Sequence, residues 1–142
     1  MPTSTASAVW EGGLRHGRGH FAAGSQAFEA DYSFLTRFEG AKGTNPEELI
    51  AAAHAACFSM ALSAGLEKAG TPPTRVSTTA RCTVEKVGDG FKITKMRLET
   101  RGDVPGLDQA GFARAAEAAK EGCPVSGALK GNVQLELEAR LA

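Results

Sequence analysis

Two cysteines set far apart offer the clearest chemistry in this sequence: Cys57, inside the apolar run 51–64, and Cys123, in the segment Gly122-Cys123-Pro124-Val125. Neither belongs to a Cys-x-x-Cys pair, and neither stands beside a metal-type ligand. If the fold brings them together they form a dithiol, which does redox chemistry. By residue type the two differ. Desolvation disfavours a thiolate, so Cys57 among apolar neighbours reads as an inert core residue. Cys123 precedes Pro124 at an expected helix start, where unpaired N–H groups and the positive end of the dipole lower a thiol pKa. On these grounds Cys123 is the better nucleophile. The third cysteine, Cys82, falls on a strand-like segment and reads as a spectator.

Length and charge limit what such a dithiol could serve. At 142 residues the chain is read as a single domain, 1–142, too short to carry a separate cofactor domain. Sixteen basic residues balance sixteen acidic ones without a Lys/Arg run, so the signature of nucleic-acid binding is missing and a small, weakly charged partner is expected. The N-terminus shows no charged region followed by an apolar stretch, and no run approaches about 18 uninterrupted apolar residues. A soluble cytoplasmic protein with no membrane partner is therefore expected. Three cysteines do not suggest a secreted disulfide framework, and in a reducing compartment a functional disulfide is transient.

The elements that must position the cysteines are read from periodicity and punctuation. From Ser7 to Arg37 loose alternation, broken at Gly12-Gly13, Gly17 and Gly24-Ser25, predicts a meander of short strands. Asn45-Pro46-Glu47-Glu48 then opens a helix: Asn45 suits the N-cap, Pro46 the first helical position, and the two acids complement the dipole. This helix is expected to run to about Ala69, before Gly70 and Pro72-Pro73. Residues 49–62 are apolar almost all round, which predicts burial on every side, part of it by a second subunit. Segments 75–87 and 91–101 read as a hairpin through Gly88-Asp89-Gly90. Residues 107–121 read as a helix capped by Asp108, 124–129 as a shorter one, and 132–141 as a strand. Strands and helices grouped in this way give an α+β domain.

Three stretches carry a family resemblance. Thr36-Arg37-Phe38-Glu39-Gly40, Gly43-Thr44-Asn45-Pro46-Glu47-Glu48 continuing through His54-Ala55-Ala56-Cys57-Phe58-Ser59-Met60, and Gly122-Cys123-Pro124-Val125-Ser126 closely resemble the OsmC branch of the OsmC/Ohr family. Trp10-Glu11-Gly12 and Pro105-Gly106 extend the likeness over nearly the whole chain. The resemblance implies an intertwined homodimer with antiparallel sheets wrapped around central buried helices. It also implies a thiol-dependent peroxidase that reduces organic hydroperoxides without metal, haem or flavin. Within it Cys57 matches the peroxidatic cysteine, Cys123 the resolving cysteine, Arg37 the catalytic arginine and Glu47 its acidic partner. The family precedent for the reductant is a dithiol on a lipoyl protein.

The resemblance reverses the order of reactivity read from the residues alone. For Cys57 to attack a peroxide it needs a nearby cation, and Arg37 is the natural candidate because guanidinium stays charged when partly buried. Glu47 lies ten residues before Cys57, about 15 Å along one helix axis. An acid that orients Arg37 must then come from a bend in the chain or from the partner helix of an antiparallel dimer, and the dimer is the favoured reading. Phe34, Phe38, Phe58 and Met60 are candidates for an apolar substrate pocket, or are simply core. His54, three residues before Cys57, is a weaker candidate base that reads more readily as a satisfied core histidine. His16 and His20 lack zinc-site spacing, while Glu39 and Arg18 are lesser candidates beside Arg37. Two rival functions share these residues: a thiol-disulfide oxidoreductase or redox sensor, and a ligand-binding stress protein in which the cysteines are core.

Overall fold

Glycine and aromatic residues shape the first of two units, 1–49 and 50–142, into which a computed structural model of residues 1–142 divides. Strands β1 (Ala6–Glu11), β2 (Arg18–Ala23) and β3 (Glu29–Tyr32) form an antiparallel sheet in that order. Gly19 pairs across to Tyr32 and to Trp10, and a Cβ there would collide with both rings, so the absence of a side chain lets the sheet close. The meander stops earlier than alternation predicts. Residues Phe34–Phe38 form a short helix, α1, because Ser33 and Thr36 cap it reciprocally. The Thr36 N–H donates to Ser33 Oγ at 3.2 Å and the Ser33 N–H to Thr36 Oγ1 at 2.9 Å.

Between α1 and the long helix α2 (Pro46–Lys68) the chain turns at Gly40 and Gly43, both with positive φ, 71° and 146°. Asn45 fastens the turn at both ends. Its Oδ1 accepts from the Glu48 N–H at 2.8 Å, the expected cap, while its Nδ2 donates to the Thr36 carbonyl at 3.2 Å.

In the second unit α2 buries His54, Phe58, Leu62 and Leu66, four residues apart and therefore on one stripe. Ala52, Ala53, Ala56, Met60 and Ala64 are exposed, so burial on every side is not reached within one chain. By length and composition α2 would suffice to cross a membrane: an 18-residue window has mean hydropathy 1.7, with 22% of it buried.

Strands β4 (Arg75–Val87) and β5 (Gly90–Asp103) form the expected hairpin, with Gly88-Asp89 as its two-residue loop and Gly88 at φ 62°. Strand β6 (Gln134–Leu141) pairs with β5 in parallel, Leu98 opposite Leu137. The second sheet is therefore mixed, which corrects the expectation of wholly antiparallel sheets. A parallel pair requires a long crossover, and helices α3 (Gln109–Gly122) and α4 (Pro124–Leu129) lie within it. Asp108 caps α3 by accepting from the Gly111 N–H at 2.8 Å.

Helix α3 is held by Phe112, Ala116 and Ala119, all in the core with Phe58, Leu62 and Leu98. Phe112 lies over Gly102 of β5, where a Cβ would run into the ring. Replacing Gly102 by Ala is expected to cost about 1–3 kcal/mol of stability by overpacking, read as a lower urea midpoint with unchanged slope. An unchanged midpoint would show that the ring moves aside freely.

Candidate redox site

The end of α3 fixes one cysteine and the middle of α2 the other. Cys123 closes α3, its N–H donating to the Ala119 carbonyl at 2.9 Å, and the same residue is the N-cap of α4. Pro124 follows at the first position of α4, where a missing N–H costs nothing. Sixty-six residues apart in sequence, the two sulfurs lie 2.9 Å from each other as free thiols. Cys123 is 1% exposed and Cys57 partly so.

Their surroundings push the two thiols in opposite directions. For Cys57 burial raises the pKa, and the contact with Cys123 raises it further. For Cys123 burial acts upward as well, but hydrogen bonding from Cys57 and the N–H and hydroxyl groups of Ser126 outweighs it, and the pKa falls. These directions run the same way as the order read from residue types alone, upward for Cys57 and downward for Cys123.

Two polar side chains buried beside this pair complete the cluster. Ser126, 2% exposed on α4, has its Oγ 2.7 Å from Nε2 of His54, which is fully enclosed on α2. His54 is a core histidine, as the sequence favours, linked to α4 through Nε2, although its Nδ1 is buried without a partner. Ser126 escaped notice as a functional residue. Its one sequence signal was its place three residues after Cys123, where an N-terminal helical N–H faces the capping residue.

In the first unit the structure brings Arg37 and Glu47 together. The guanidinium donates through Nη2 to Glu47 Oε1 at 2.6 Å and through Nε to Oε1 and Oε2 at 3.1 and 3.2 Å. Glu47 is 5% exposed. The pair forms within one chain because the Gly40–Asn45 turn folds α1 back to the start of α2. The bend, one of the two routes left open by the sequence, supplies the acid, and this corrects the favoured reading in which Glu47 reaches Arg37 from a partner helix. Arg37 also stands 5.0 Å over the Phe38 ring.

The candidate pocket residues part company. Phe34 and Phe38 line a cavity of about 250 Å³ together with Trp10, Leu14, Tyr32 and Arg37. Phe58 is fully enclosed in the core, and Met60 is 76% exposed on α2. Glu39 faces solvent and makes no pair with Arg37. Arg18 meets Glu11 at 3.7 Å in the open, and His20 binds Asp31 at 2.7 Å. Cys82 lies in β4 opposite Met96. No three His, Cys, Asp or Glu side chains converge as a metal ion would need.

Comparison with known proteins places the chain in a family. Residues 39–138 match the family model described as OsmC-like protein. The chain is 49% identical over 134 residues to the peroxiredoxin OsmC of Escherichia coli, covering 94% of both chains. It is 35% identical to the organic hydroperoxide resistance protein of Xanthomonas axonopodis pv. citri, covering 94% of this chain and 92% of that one. Among solved structures it resembles the organic hydroperoxide resistance protein OhrB of Bacillus subtilis, with a TM-score of 0.75, 30% identity and coverage of 95% and 97%. With a paired dithiol, a mixed α+β architecture and these relatives, the chain belongs to the OsmC-like protein family.

Proposed function

We propose that this protein is a thiol-dependent peroxidase that reduces organic hydroperoxides to alcohols in the defence against oxidative and osmotic stress, acting over residues 1–142 as one domain. The observation that carries the reading is the contact between the Cys57 and Cys123 sulfurs in a chain so similar to a peroxiredoxin. The Cys57 thiolate attacks the distal peroxide oxygen, the O–O bond breaks, and the alkoxide takes up a proton and leaves as the alcohol. Cys57 is then a sulfenic acid, and the Cys123 thiolate attacks its sulfur to form the disulfide, releasing hydroxide that is protonated to water. A small dithiol, such as a lipoyl group, reopens the disulfide by exchange and is itself oxidised.

Cys57 needs help to ionise, since burial and Cys123 both hold its proton in place. Arg37 is the proposed source of that help, with Glu47 fixing the plane of the guanidinium. A homodimer in the cytoplasm is proposed as the working form. The exposed stripe Ala53, Ala56, Met60 and Ala64 supports it, because small side chains let a second backbone approach closely and a buried apolar stripe is more stable than a wet one.

The test is steady-state consumption of cumene hydroperoxide and of hydrogen peroxide with dihydrolipoamide as reductant. An apolar approach lined by Phe34 and Phe38 predicts kcat/KM at least about tenfold higher for the organic peroxide. Absence of turnover with both peroxides would overturn the reading.

A further inference from the structure

The dithiol accounts for Cys57 and Cys123 but leaves a buried pair beside it unused. His54 is fully enclosed, its Nε2 lies 2.7 Å from Ser126 Oγ, and its Nδ1 is buried with no partner. A buried polar atom without a partner costs free energy, so its persistence invites a reason.

Nδ1 itself decides how the proton lies. Burial lowers the pKa of His54, so the ring is neutral and carries one proton. Were that proton on Nδ1, a buried N–H would be left with no acceptor; on Nε2, only a lone pair is left unmet, the more tolerable deficit. The hydrogen-bond network thus assigns the proton to Nε2, which donates to Ser126 Oγ. With one lone pair of Ser126 so engaged, its own hydroxyl proton is free to point elsewhere. Ser126 is the third residue of α4, the helix that Cys123 caps, so its hydroxyl stands in the turn that opens at Cys123 and acts as a hydrogen-bond donor on that sulfur.

We propose that His54 and Ser126 are positioning residues for the resolving step, a one-way chain of donors, Nε2–H to Oγ and Oγ–H to Sγ, that aims a proton at Cys123 and holds it ready as a thiolate. The lowered pKa of Cys123 agrees with that orientation. The chain works at the second chemical step: the Cys123 thiolate attacks the sulfenic sulfur of Cys57, an S–S bond forms, the S–O bond breaks, and hydroxide leaves to become water. It does not touch the peroxide. Three helices contribute, α2 through His54, α4 through Ser126, and α3 by ending at Cys123. His54 and Cys57 lie three residues apart on α2, so the helix that carries the attacking sulfur also carries the group that readies its partner.

The inference rests on the peroxidase reading, and the two are separable by experiment. In a background lacking Cys57 and Cys82 (Cys57→Ser, Cys82→Ser), the Cys123 thiolate is titrated by its absorbance near 240 nm. Ser126→Ala and His54→Leu are expected to move the midpoint upward, whereas His54→Gln, which keeps an N–H donor, stays near the parent. In the otherwise native protein, stopped-flow mixing with one equivalent of cumene hydroperoxide separates Cys57 oxidation from disulfide formation. Ser126→Ala should leave the first rate unchanged and slow the second on the order of tenfold, the scale of one hydrogen bond to a charged group. His54→Gln should restore the second rate that His54→Leu loses. Unchanged titration and unchanged disulfide formation in Ser126→Ala, with circular dichroism like the parent, would overturn the proposal while leaving the peroxidase intact. If Cys57 is not oxidised at all, the peroxidase reading fails instead, and the titration alone still decides whether the donor chain acts on Cys123.

Discussion

Replacing Cys57 by Ser is expected to reduce hydroperoxide turnover on the order of a thousandfold or more, because the hydroxyl that remains is neither nucleophilic at neutral pH nor oxidisable to a sulfenic acid. The change is nearly isosteric, and Cys57 is only partly buried, so the fold should survive. Cys123→Ser provides the contrast. It should leave the first oxidation of Cys57 intact, let the sulfenic acid accumulate to one equivalent that dimedone traps, and stall thereafter. Retained turnover in Cys57→Ser would make the cysteines spectators and favour a ligand-binding protein. Accumulation of a trapped acid on Cys123 would restore the order that the residue types suggest.

The second large effect is expected at Arg37. Its guanidinium is held in two directions by Glu47, through Nε and Nη2, which a lysine ammonium cannot reproduce. Arg37→Met should lower kcat/KM for cumene hydroperoxide by about a hundredfold to a thousandfold, the scale of losing one preorganised charge at a developing anion. Stability must be separated from chemistry here. Removing Arg37 leaves Glu47, whose side chain is 6% exposed, without its partner, while the arginine end of the pair is 36% exposed and already screened by water. The expected loss is about 1–3 kcal/mol, less than for a fully buried pair. Adding Glu47→Gln should recover most of that stability and none of the rate. Recovery of both together would mean that Arg37 and Glu47 act only as a structural clasp between α1 and α2.

The sequence made the long helix plain because its signals were local and mutually consistent: an Asn-Pro-Glu-Glu start, an apolar interior, and Gly70 with two prolines after its end. Asp108 and Pro124 marked the next two helices for the same reason. Helix α1 was hidden because five residues are too few to show a period. The pairing of Ser33 with Thr36 was its one trace. The direction of β6 could not be read at all, since alternation fixes which face a side chain takes but not which way the neighbouring strand runs.

At the site, chemistry stood out where a residue type is rare and remained invisible where it is common. Cys57 and Cys123 drew notice from composition alone, and Arg37 and Glu47 from the stretches that carry the family resemblance. Ser126 is a serine in a short helix, and its place three residues after Cys123 is the one mark the sequence gives it. Its meaning comes from His54, 72 residues away, which only packing of α2 against α4 brings within 2.7 Å. The bend between α1 and α2 likewise replaced a partner subunit as the source of the acid for Arg37, because two glycines with positive φ reverse the chain over a few residues.

The central claim is that Cys57 and Cys123 are one redox couple. The most direct measurement is an anaerobic titration of the fully reduced protein with cumene hydroperoxide, followed by thiol counting and peptide mass spectrometry under non-reducing conditions. Two thiols should disappear per equivalent of peroxide, one equivalent of cumyl alcohol should form, and a single linked peptide pair should join Cys57 to Cys123 with Cys82 still free. Survival of all three thiols, or a linkage that includes Cys82, would contradict the account.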